Sequence, residues 1–377
     1  MTSELSISPV DGQQDWQALW GLTDRIYSSD PCWIAPLRME RKKLWKKNNP
    51  WFRHAVGQLF VARRGGSAVG SISTQFDELQ ADEGEGRIGY FGQFECINDP
   101  EVAIQLIQVA ERWLTDKGCK VMRGPYDLGI NQSCGLLVEG FETPPMILMG
   151  HAPRYYSSLL ASSGLSEQKD LLAYLIEPDF PAPVAMRRLV SRQGTRLHFR
   201  PLKMQRYPEE VELLRQLFND AWANNWGFVP LTKEEFAQTG TEIRHILNPD
   251  HACIAEFDGQ PAGFIIALPN LNEWIRDLRG RLFPTGWAKL LWRVKRGRVS
   301  TARVPLMGVR RQFHGGALGA AISFGMIDHI RHALHRDGVE QVEMSWILED
   351  NQGMNSLIKA MGGRLYKRYR MYAKQIG

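Results

Sequence analysis

The C-terminal part of the chain alternates between short apolar runs and segments with helical periodicity. The run from Val304 to Val309 predicts a buried strand, and a turn containing two glycines follows it. The next segment places apolar residues at helical spacing, which predicts one buried helix face: Leu318, Ile322, Met326 and Ile330. A second apolar run over 342–348, another short helix and a final strand over 364–373 complete the order.

The first half of the chain repeats this order of elements with different residues. The pattern predicts an amphipathic helix near the start, a strand pair over 58–63 and 68–75, and a strand over 87–97. A helix over 100–117 and a strand over 121–125 follow. We therefore predict an α/β chain built as a tandem repeat, with domains at 1–177 and 197–377 and a linker region at 178–196.

Composition narrows the class of protein. The chain has 377 residues, 44% of them hydrophobic, which suits two packed domains. No run of eighteen apolar residues occurs, and the first residues lack the basic and apolar regions of a secretion signal. The five cysteines lie far apart without metal-binding spacing, which is typical of reduced thiols. We expect a cytoplasmic protein without a metal site.

The turn between the strand at Val304–Val309 and the following helix has the chemistry of an anion site. A strand, a glycine turn and a helix N-terminus together present free backbone N–H groups and the positive end of the helix. Gly315 and Gly316 carry no Cβ, so a phosphate can approach the backbone closely.

The spacing of Gln312, Gly315 and Ala317 resembles Gln/Arg-x-x-Gly-x-Gly/Ala, the pyrophosphate loop of the GNAT superfamily of acyl-CoA N-acyltransferases. The later order of strand, Asn351, short helix, glycine corner and final strand is also similar to that superfamily. The alternative is an ordinary crossover whose glycines only turn the chain. The resemblance implies acyl-CoA as cosubstrate, bound by these residues: Met307, Val309, Arg310, Arg311, Gln312, Gly315, Gly316, Ala317, Leu318 and Asn351.

As a whole the chain resembles the long, double-domain GNAT-like proteins of bacteria that include bacterial ceramide synthases. The resemblance implies two GNAT-like domains, each a mixed, mostly antiparallel sheet flanked by helices, and transfer of a fatty acyl group to a sphingoid-base amine. The N-terminal copy has Asn98-Asp99-Pro100-Glu101 where the glycine loop would be, so we expect it to be a substrate or scaffold half. The alternatives are a tandem GNAT that transfers acetyl or aminoacyl groups to a soluble amine or peptide, and a catalytically silent CoA-binding module.

N-acyl transfer needs a base, because an alkyl ammonium must lose a proton before it attacks the thioester. The candidates are carboxylates near the predicted strand ends: Glu95, Asp127, Glu349 and Asp350. Many GNAT enzymes place a Tyr seven residues beyond the Asn to protonate the leaving thiolate, and here that position is Ile358. Tyr366, Tyr369 or Ser345 could replace it, or the thiolate leaves unaided.

Two loops are candidates for the acceptor site. The segment 124–145 is long and rich in turn formers, yet it carries aromatic and apolar side chains, which indicates either a cavity wall or plain packing. We assign Tyr126, Asn131 and Tyr156 to substrate binding. The resemblance adds Trp226 and Phe228, since the corresponding helical loop overhangs the acceptor groove in GNAT folds.

An insert at 272–303 is the most basic part of the chain. From Arg276 to Arg303 it has nine basic residues and one acid, Asp277, interleaved with leucines, Phe283, Trp287 and Trp292. This composition is typical of a helix lying in a membrane interface, and we expect an anionic membrane surface as a possible partner. A core-packed helix with a solvated basic face is the alternative. Nucleic acid would require polar base-reading groups that the stretch lacks.

Overall fold

The computed structural model describes residues 4–81 and 84–377, which form two compact units. Unit 1 contains residues 1–171, 275–282 and 367–377, and unit 2 contains residues 172–274 and 283–366. The region predicted as a linker, 178–196, is therefore part of unit 2. Two short segments of the second half, one of them within the predicted insert, return to unit 1.

Unit 1 is a sheet flanked by helices. Its strands are β1 (Leu5–Pro9), β2 (Ala55–Arg64), β3 (Ser67–Asp77), β4 (Ile88–Cys96), β5 (Val121–Gly124) and β6 (Leu136–Glu139). Its helices are α1 (Gly12–Ile26), α2 (Arg38–Leu44), α3 (Pro100–Asp116) and α4 (Tyr156–Ser162). Strand β7 (Ser166–Ile176) begins in unit 1 and ends in unit 2. The first five strands are neighbours in sequence order, and only β4 and β5 pair in parallel.

Unit 2 repeats this order of elements. Its helices are α5 (Val184–Ser191), α6 (Tyr207–Trp222), α7 (Lys233–Ile243), α8 (Asn272–Ile275), α9 (Gly286–Arg296), α10 (Gly316–Arg336) and α11 (Gln352–Ala360). Its strands are β8 (Leu197–Arg200), β9 (Ala252–Phe257), β10 (Gln260–Pro269), β11 (Thr301–Val309) and β12 (Gln341–Leu348). The last strand, β13 (Arg364–Gln375), lies largely in unit 1, where it pairs antiparallel with β5 and β6.

Local sequence explains several boundaries in unit 2. Thr232 and Glu235 form a capping box at the start of α7, as the Thr-x-x-Glu pattern predicts. Asp258 and Gly259 both have positive φ, at 50° and 74°, which is the conformation that a two-residue hairpin between β9 and β10 requires. The hairpin turn sets the register between β9 and β10, and β10 also pairs with β11.

The core of unit 2 is built around α10. Ile322, Met326, Ile327, Ile330 and Leu334 are buried, as their helical spacing predicts, and Leu318 is half-buried at the start of the helix. Each fully buried side chain of this type stabilises the fold by about 1.5–3 kcal/mol. Helix α10 is therefore held firmly, and its N-terminus is fixed at the end of β11.

Candidate active site

The turn between β11 and α10 is an exposed cradle of backbone N–H groups. After β11, one 3-10 turn (Arg311–Phe313) leads to Gly315 and Gly316, whose φ values are 74° and 62°. These left-handed conformations favour glycine, and a Cβ added at either position would meet no atom within 4 Å. The space in front of the turn is therefore open.

The first N–H groups of α10 point into this space. Gly315 provides no side-chain cap, and within the described chain no acceptor is found for the N–H groups of Gly316, Ala317 or Leu318. A helix N-terminus with unpartnered donors and positive dipole charge binds anions, phosphate above all. The arrangement fits the pyrophosphate of CoA.

The other residues predicted to bind CoA surround the cradle or lie one strand away. The N–H of Arg311 donates to the Asp220 carboxylate at 2.9 Å, whereas the Arg310 Nε is buried without a hydrogen-bond partner. Gln312 is exposed. The carbonyl oxygen of Met307 accepts a hydrogen bond from Trp222 Nε1, and that of Val309 is hydrogen-bonded to His314 Nε2. Asn351 caps α11 by accepting the N–H of Met354 at 3.1 Å.

Strands β11 and β12 diverge just before the cradle. They pair in parallel from Thr301 opposite Gln341 to Val304 opposite Met344, and the register ends there. Past Val304, β11 pairs with β10 over Leu306–Val309. Since alternate N–H groups of a strand point to opposite neighbours, some N–H groups of this part of β11 face the gap. Such donors can polarise a thioester carbonyl placed there.

A buried polar network lies where the two strands diverge. Arg303 and Glu343 are 1% and 0% exposed and form an ion pair with a closest distance of 3.3 Å. Ser345 donates to Glu343 and accepts from Arg303 Nε at 2.9 Å, and the Tyr366 hydroxyl donates to the other Glu343 oxygen. Removing two charges from water is costly, so the hydrogen bonds from Ser345 and Tyr366 to Glu343 are needed to offset the burial of this pair.

Arg303 and Glu343 were not among the predicted site residues. The composition places Arg303 at the end of the basic insert, but β11 begins at Thr301, so this arginine belongs to a central strand. The signal in the sequence is the alternation within each strand: Arg303 stands between Ala302 and Val304, and Glu343 between Val342 and Met344. A single charged residue between two apolar neighbours of a strand indicates a polar position on the opposite sheet face.

The candidates for protonating a leaving thiolate differ in their surroundings. Ile358 is fully buried in the core of unit 2. Tyr369 is buried in unit 1, where its hydroxyl donates to the Gly150 carbonyl oxygen. Tyr366 and Ser345 both bond to Glu343, so the structure brings these two candidates together.

Of the four candidate bases, two lie at an exposed corner of unit 2. Glu349 and Asp350 follow β12 directly and are exposed. Asn355 Nδ2 donates to the Glu349 carbonyl oxygen at 3.3 Å, and Tyr174 donates to Asn355, which fixes the backbone of this corner.

The other two candidate bases belong to a polar cluster in unit 1. Glu95 on β4 accepts a hydrogen bond from Tyr156 at 2.8 Å, and Tyr27, whose hydroxyl donates to the His151 carbonyl oxygen at 3.2 Å, lies nearby. Asp127 forms an ion pair with Arg41. Burial raises the pKa of Glu95 to about 7, although the tyrosine hydrogen bonds and the charge of Arg41 act in the opposite direction.

The predicted acceptor residues lie in both units. Tyr126 is buried, its N–H donates to the Phe91 carbonyl oxygen at 2.8 Å, and its ring packs on Tyr90, so it fills the space where β4 and β5 diverge. Asn131 is half-buried in the same loop. In unit 2, Trp226 and Phe228 are half-buried in the loop between α6 and α7.

The turn before α3, which corresponds to the cradle in unit 1, is closed by its own side chains. Asp99 caps α3 by accepting the N–H of Glu101 at 3.0 Å. Arg64 pairs with both carboxylates, at 2.7 Å to Asp99 and 2.8 Å to Glu101. A carboxylate thus occupies the helix N-terminus where a phosphate would bind.

Helix α9 of the insert is amphipathic and uncovered. None of its residues is buried, and Trp287, Leu291 and Trp292 are 51%, 48% and 62% exposed. Trp287, Leu290, Leu291 and Val294 form an apolar stripe at helical spacing, and Lys289, Arg293 and Arg296 lie on the other side. The alternative of a core-packed helix is therefore wrong. None of the helices in the described chain has the length and apolar character of a membrane span.

The order of strands, the divergence of β11 from β12 and the glycine cradle together define a GNAT fold. The solved structures with this architecture include a tandem GNAT protein from the clavulanic acid biosynthesis pathway, at 14% identity and a TM-score of 0.58, with 99% of each chain covered. A GCN5-related N-acetyltransferase from Sphaerobacter thermophilus matches at 14% identity and a TM-score of 0.54, covering 98% of this chain and 95% of that one. The prediction of a tandem GNAT fold is confirmed.

Sequence comparison is more specific. The chain is 41% identical over 365 residues to protein YghO of Escherichia coli K12, covering 97% of this chain and 94% of that protein. It is 41% identical over 377 residues to the bacterial ceramide synthase of Caulobacter vibrioides, covering 99% and 98%. No family model matches the chain. The chain therefore belongs to the same protein family as these two relatives, and its fold is that of tandem GNAT proteins.

Proposed function

We propose that the chain is an acyl-CoA-dependent N-acyltransferase that transfers a fatty acyl group to the amine of a lipid-like acceptor. The observation that carries the proposal is the open cradle at Gly315–Leu318, with unpartnered N–H groups beside a diverging strand pair. The name of the Caulobacter relative, a ceramide synthase, supports a sphingoid base as acceptor. The exposed amphipathic helix α9 supports a substrate held in a membrane.

The proposed roles in unit 2 follow from the positions of the groups. The N–H groups of Gly316, Ala317 and Leu318 bind the pyrophosphate, and unpartnered Arg310 adds positive charge. The pantetheine arm then runs along β11 into the gap, where strand N–H groups polarise the thioester carbonyl. The amine nitrogen attacks the carbonyl carbon, a C–N bond forms, and the C–S bond breaks. The nitrogen loses one proton in this step and the sulfur gains one, so that CoA leaves as the free thiol. The enzyme contributes mainly by holding the two reactants in position.

Binding of acyl-CoA tests the cradle directly. Gly315→Glu places a negative charge against the pyrophosphate and should weaken binding by at least ~2 kcal/mol, roughly 30-fold, in calorimetry. Gly338→Glu is the matched control, because Gly338 also has positive φ and open space around it but lies at the other end of α10. Equal losses of acyl-CoA affinity in Gly315→Glu and Gly338→Glu would contradict the assignment of the cradle as the pyrophosphate site.

Turnover separates an enzyme from a silent CoA-binding module. Release of free CoA thiol is followed with palmitoyl-CoA and sphinganine, and the amide product is identified by mass spectrometry. We expect amide formation by the parent protein and none by Gly315→Glu. An absence of product with sphinganine and with short soluble amines, despite tight binding of acyl-CoA, would show that the chain only binds CoA.

Flotation with vesicles tests the membrane surface. Lys289, Lys295, Arg296 and Arg298 are exposed, and each basic residue near an anionic surface contributes roughly 1 kcal/mol. Changing these four to Gln should abolish binding to phosphatidylglycerol vesicles. The control changes Lys42, Lys43, Lys46 and Lys47 on and after α2 to Gln, with the same loss of net charge. If the first variant still binds the vesicles, or if both variants lose vesicle binding equally, α9 is not the binding surface.

A further inference from the structure

The polar cluster of unit 1 brings groups from five elements around one carboxyl group. Glu95 lies on β4, Tyr27 directly follows α1, Arg41 is on α2, Asp127 follows β5, and Tyr156 begins α4. The Tyr156 hydroxyl donates to Glu95 Oε2 at 2.8 Å and accepts the N–H of Cys96 at 2.9 Å, so its proton is directed to the carboxyl group.

The cluster is partly exposed to solvent. The side chains of Arg41 and Asp127 are 29% and 16% exposed, and Glu95 keeps partial exposure, whereas Tyr27 and Tyr156 are buried beneath them. The carboxyl group of Glu95 is nevertheless surrounded by protein closely enough for burial to dominate its pKa. We call this partly exposed cluster around Glu95 the recess.

The face of the sheet around Glu95 also carries polar groups that the fold leaves unsatisfied. Glu95 is opposite Ser71 in the antiparallel pair of β3 and β4, so both side chains are on the same face, together with Ser73 and Gln75. Ser73 Oγ and Gln75 Oε1 are buried without a hydrogen-bond partner. Buried polar groups without partners lower stability, which indicates that this face is not built for stability alone.

The charges of the recess match a single cation. Arg41 and Asp127 neutralise each other as an ion pair, and Glu95, when ionised, leaves one negative charge in excess. The other titratable groups near Glu95 are the hydroxyls of Tyr27, Tyr155 and Tyr156, and burial keeps them neutral near pH 7 by raising their pKa. Burial keeps the Cys96 thiol, on the opposite face of β4, neutral in the same way. An ammonium group provides the missing positive charge.

We propose that the recess in unit 1 binds the acceptor amine, and that Glu95 receives the proton of its ammonium group. That the bound amine is the acyl acceptor rests on the proposed function, whereas the binding of an amine in the recess does not. In this step one N–H bond of R–NH3⁺ breaks and an O–H bond forms on Glu95, which gives a neutral amine and a carboxylic acid. Oε1 is the receiving oxygen, since Oε2 accepts the bond from Tyr156. A carboxyl group that titrates near pH 7 holds this proton better than an ordinary glutamate does.

The site is tested with octylamine in the absence of acyl-CoA, so that failure of the CoA cradle cannot affect the result. Calorimetry at pH 8 should show binding by the parent protein and at least a tenfold loss in Glu95→Gln. Octanol, which has the same chain without the charge, should not distinguish the two proteins. Glu101→Gln, a change at an exposed carboxylate on α3, is the matched control and should bind octylamine like the parent.

The pH dependence distinguishes a binding carboxylate from a merely structural one. Octylamine affinity should fall as the pH drops through about 7, because Glu95 becomes neutral. In Tyr156→Phe the midpoint should move upwards, since loss of the hydrogen bond that stabilises the carboxylate raises the pKa of Glu95 further. Undiminished binding by Glu95→Gln, or no binding by the parent protein, would overturn the proposal. Octylamine binding without any acyl transfer would instead leave the site intact and refute the proposed function.

Discussion

The substitution Glu95→Gln should make the protein more stable at alkaline pH. Burial raises the pKa of Glu95 from 4.5 to about 7, which means that the folded protein favours the protonated carboxyl group. The stabilisation from this proton is fully present below about pH 4.5 and is lost as the pH rises through about 7. Glutamine has nearly the same shape and stays neutral, so it retains the packing without the penalty of a buried charge.

The size of the effect follows from the shift in pKa. A difference of about 2.5 units between the unfolded and folded states corresponds to about 3 kcal/mol at 1.36 kcal/mol per unit. Glu95→Gln should therefore exceed the parent protein in unfolding free energy by about 3 kcal/mol at pH 8.5, and by less than about 1 kcal/mol at pH 5. The gain should appear over the same pH range in which octylamine binding by the parent protein increases.

Urea unfolding followed by tryptophan fluorescence at pH 5 and pH 8.5 measures both differences. Glu101→Gln serves as control, because its carboxylate is exposed and the change should alter stability equally little at both pH values. A Glu95→Gln protein that is less stable than the parent at pH 8.5 would refute the reasoning. That result would show that Arg41 and the tyrosines stabilise the ionised carboxylate more than burial destabilises it.

Further predictions concern Arg303, Asp99 and Ile358. Arg303→Met leaves Glu343 charged, buried and without its cation, and should cost about 3–5 kcal/mol in urea unfolding; the double variant with Glu343→Leu should recover most of this loss. Asp99→Ala should cost about 1 kcal/mol through the lost α3 cap, yet leave acyl-CoA affinity unchanged in calorimetry. Ile358→Tyr should lower unfolding free energy by about 1–3 kcal/mol without raising turnover, because the site is filled core.

The sequence by itself determined the elements and the cradle. Apolar periodicity located β11 and α10, the Asp258-Gly259 pair specified the hairpin, and Thr232-x-x-Glu235 specified the start of α7. The cradle could be predicted because it is local: a strand, two glycines and a helix follow one another directly, and the anion site consists of their backbone. The Gln312-x-x-Gly315 spacing was enough to indicate it before any tertiary contact was known.

Only the tertiary structure distinguished the surroundings of the candidate carboxylates. Glu95 and Glu349 are equivalent in the sequence as acidic residues near strand ends, but Glu95 is partly buried and hydrogen-bonded by Tyr156, whereas Glu349 is exposed. Arg303 was counted with a basic surface and proved to be buried against Glu343, and the tryptophans of α9 proved to be uncovered. The physical reason is that the pKa of a carboxyl group and the cost of a buried charge depend on dielectric surroundings and on partners distant in sequence. A pattern along one strand or helix specifies which face a side chain occupies, and the other elements determine what lies against that face.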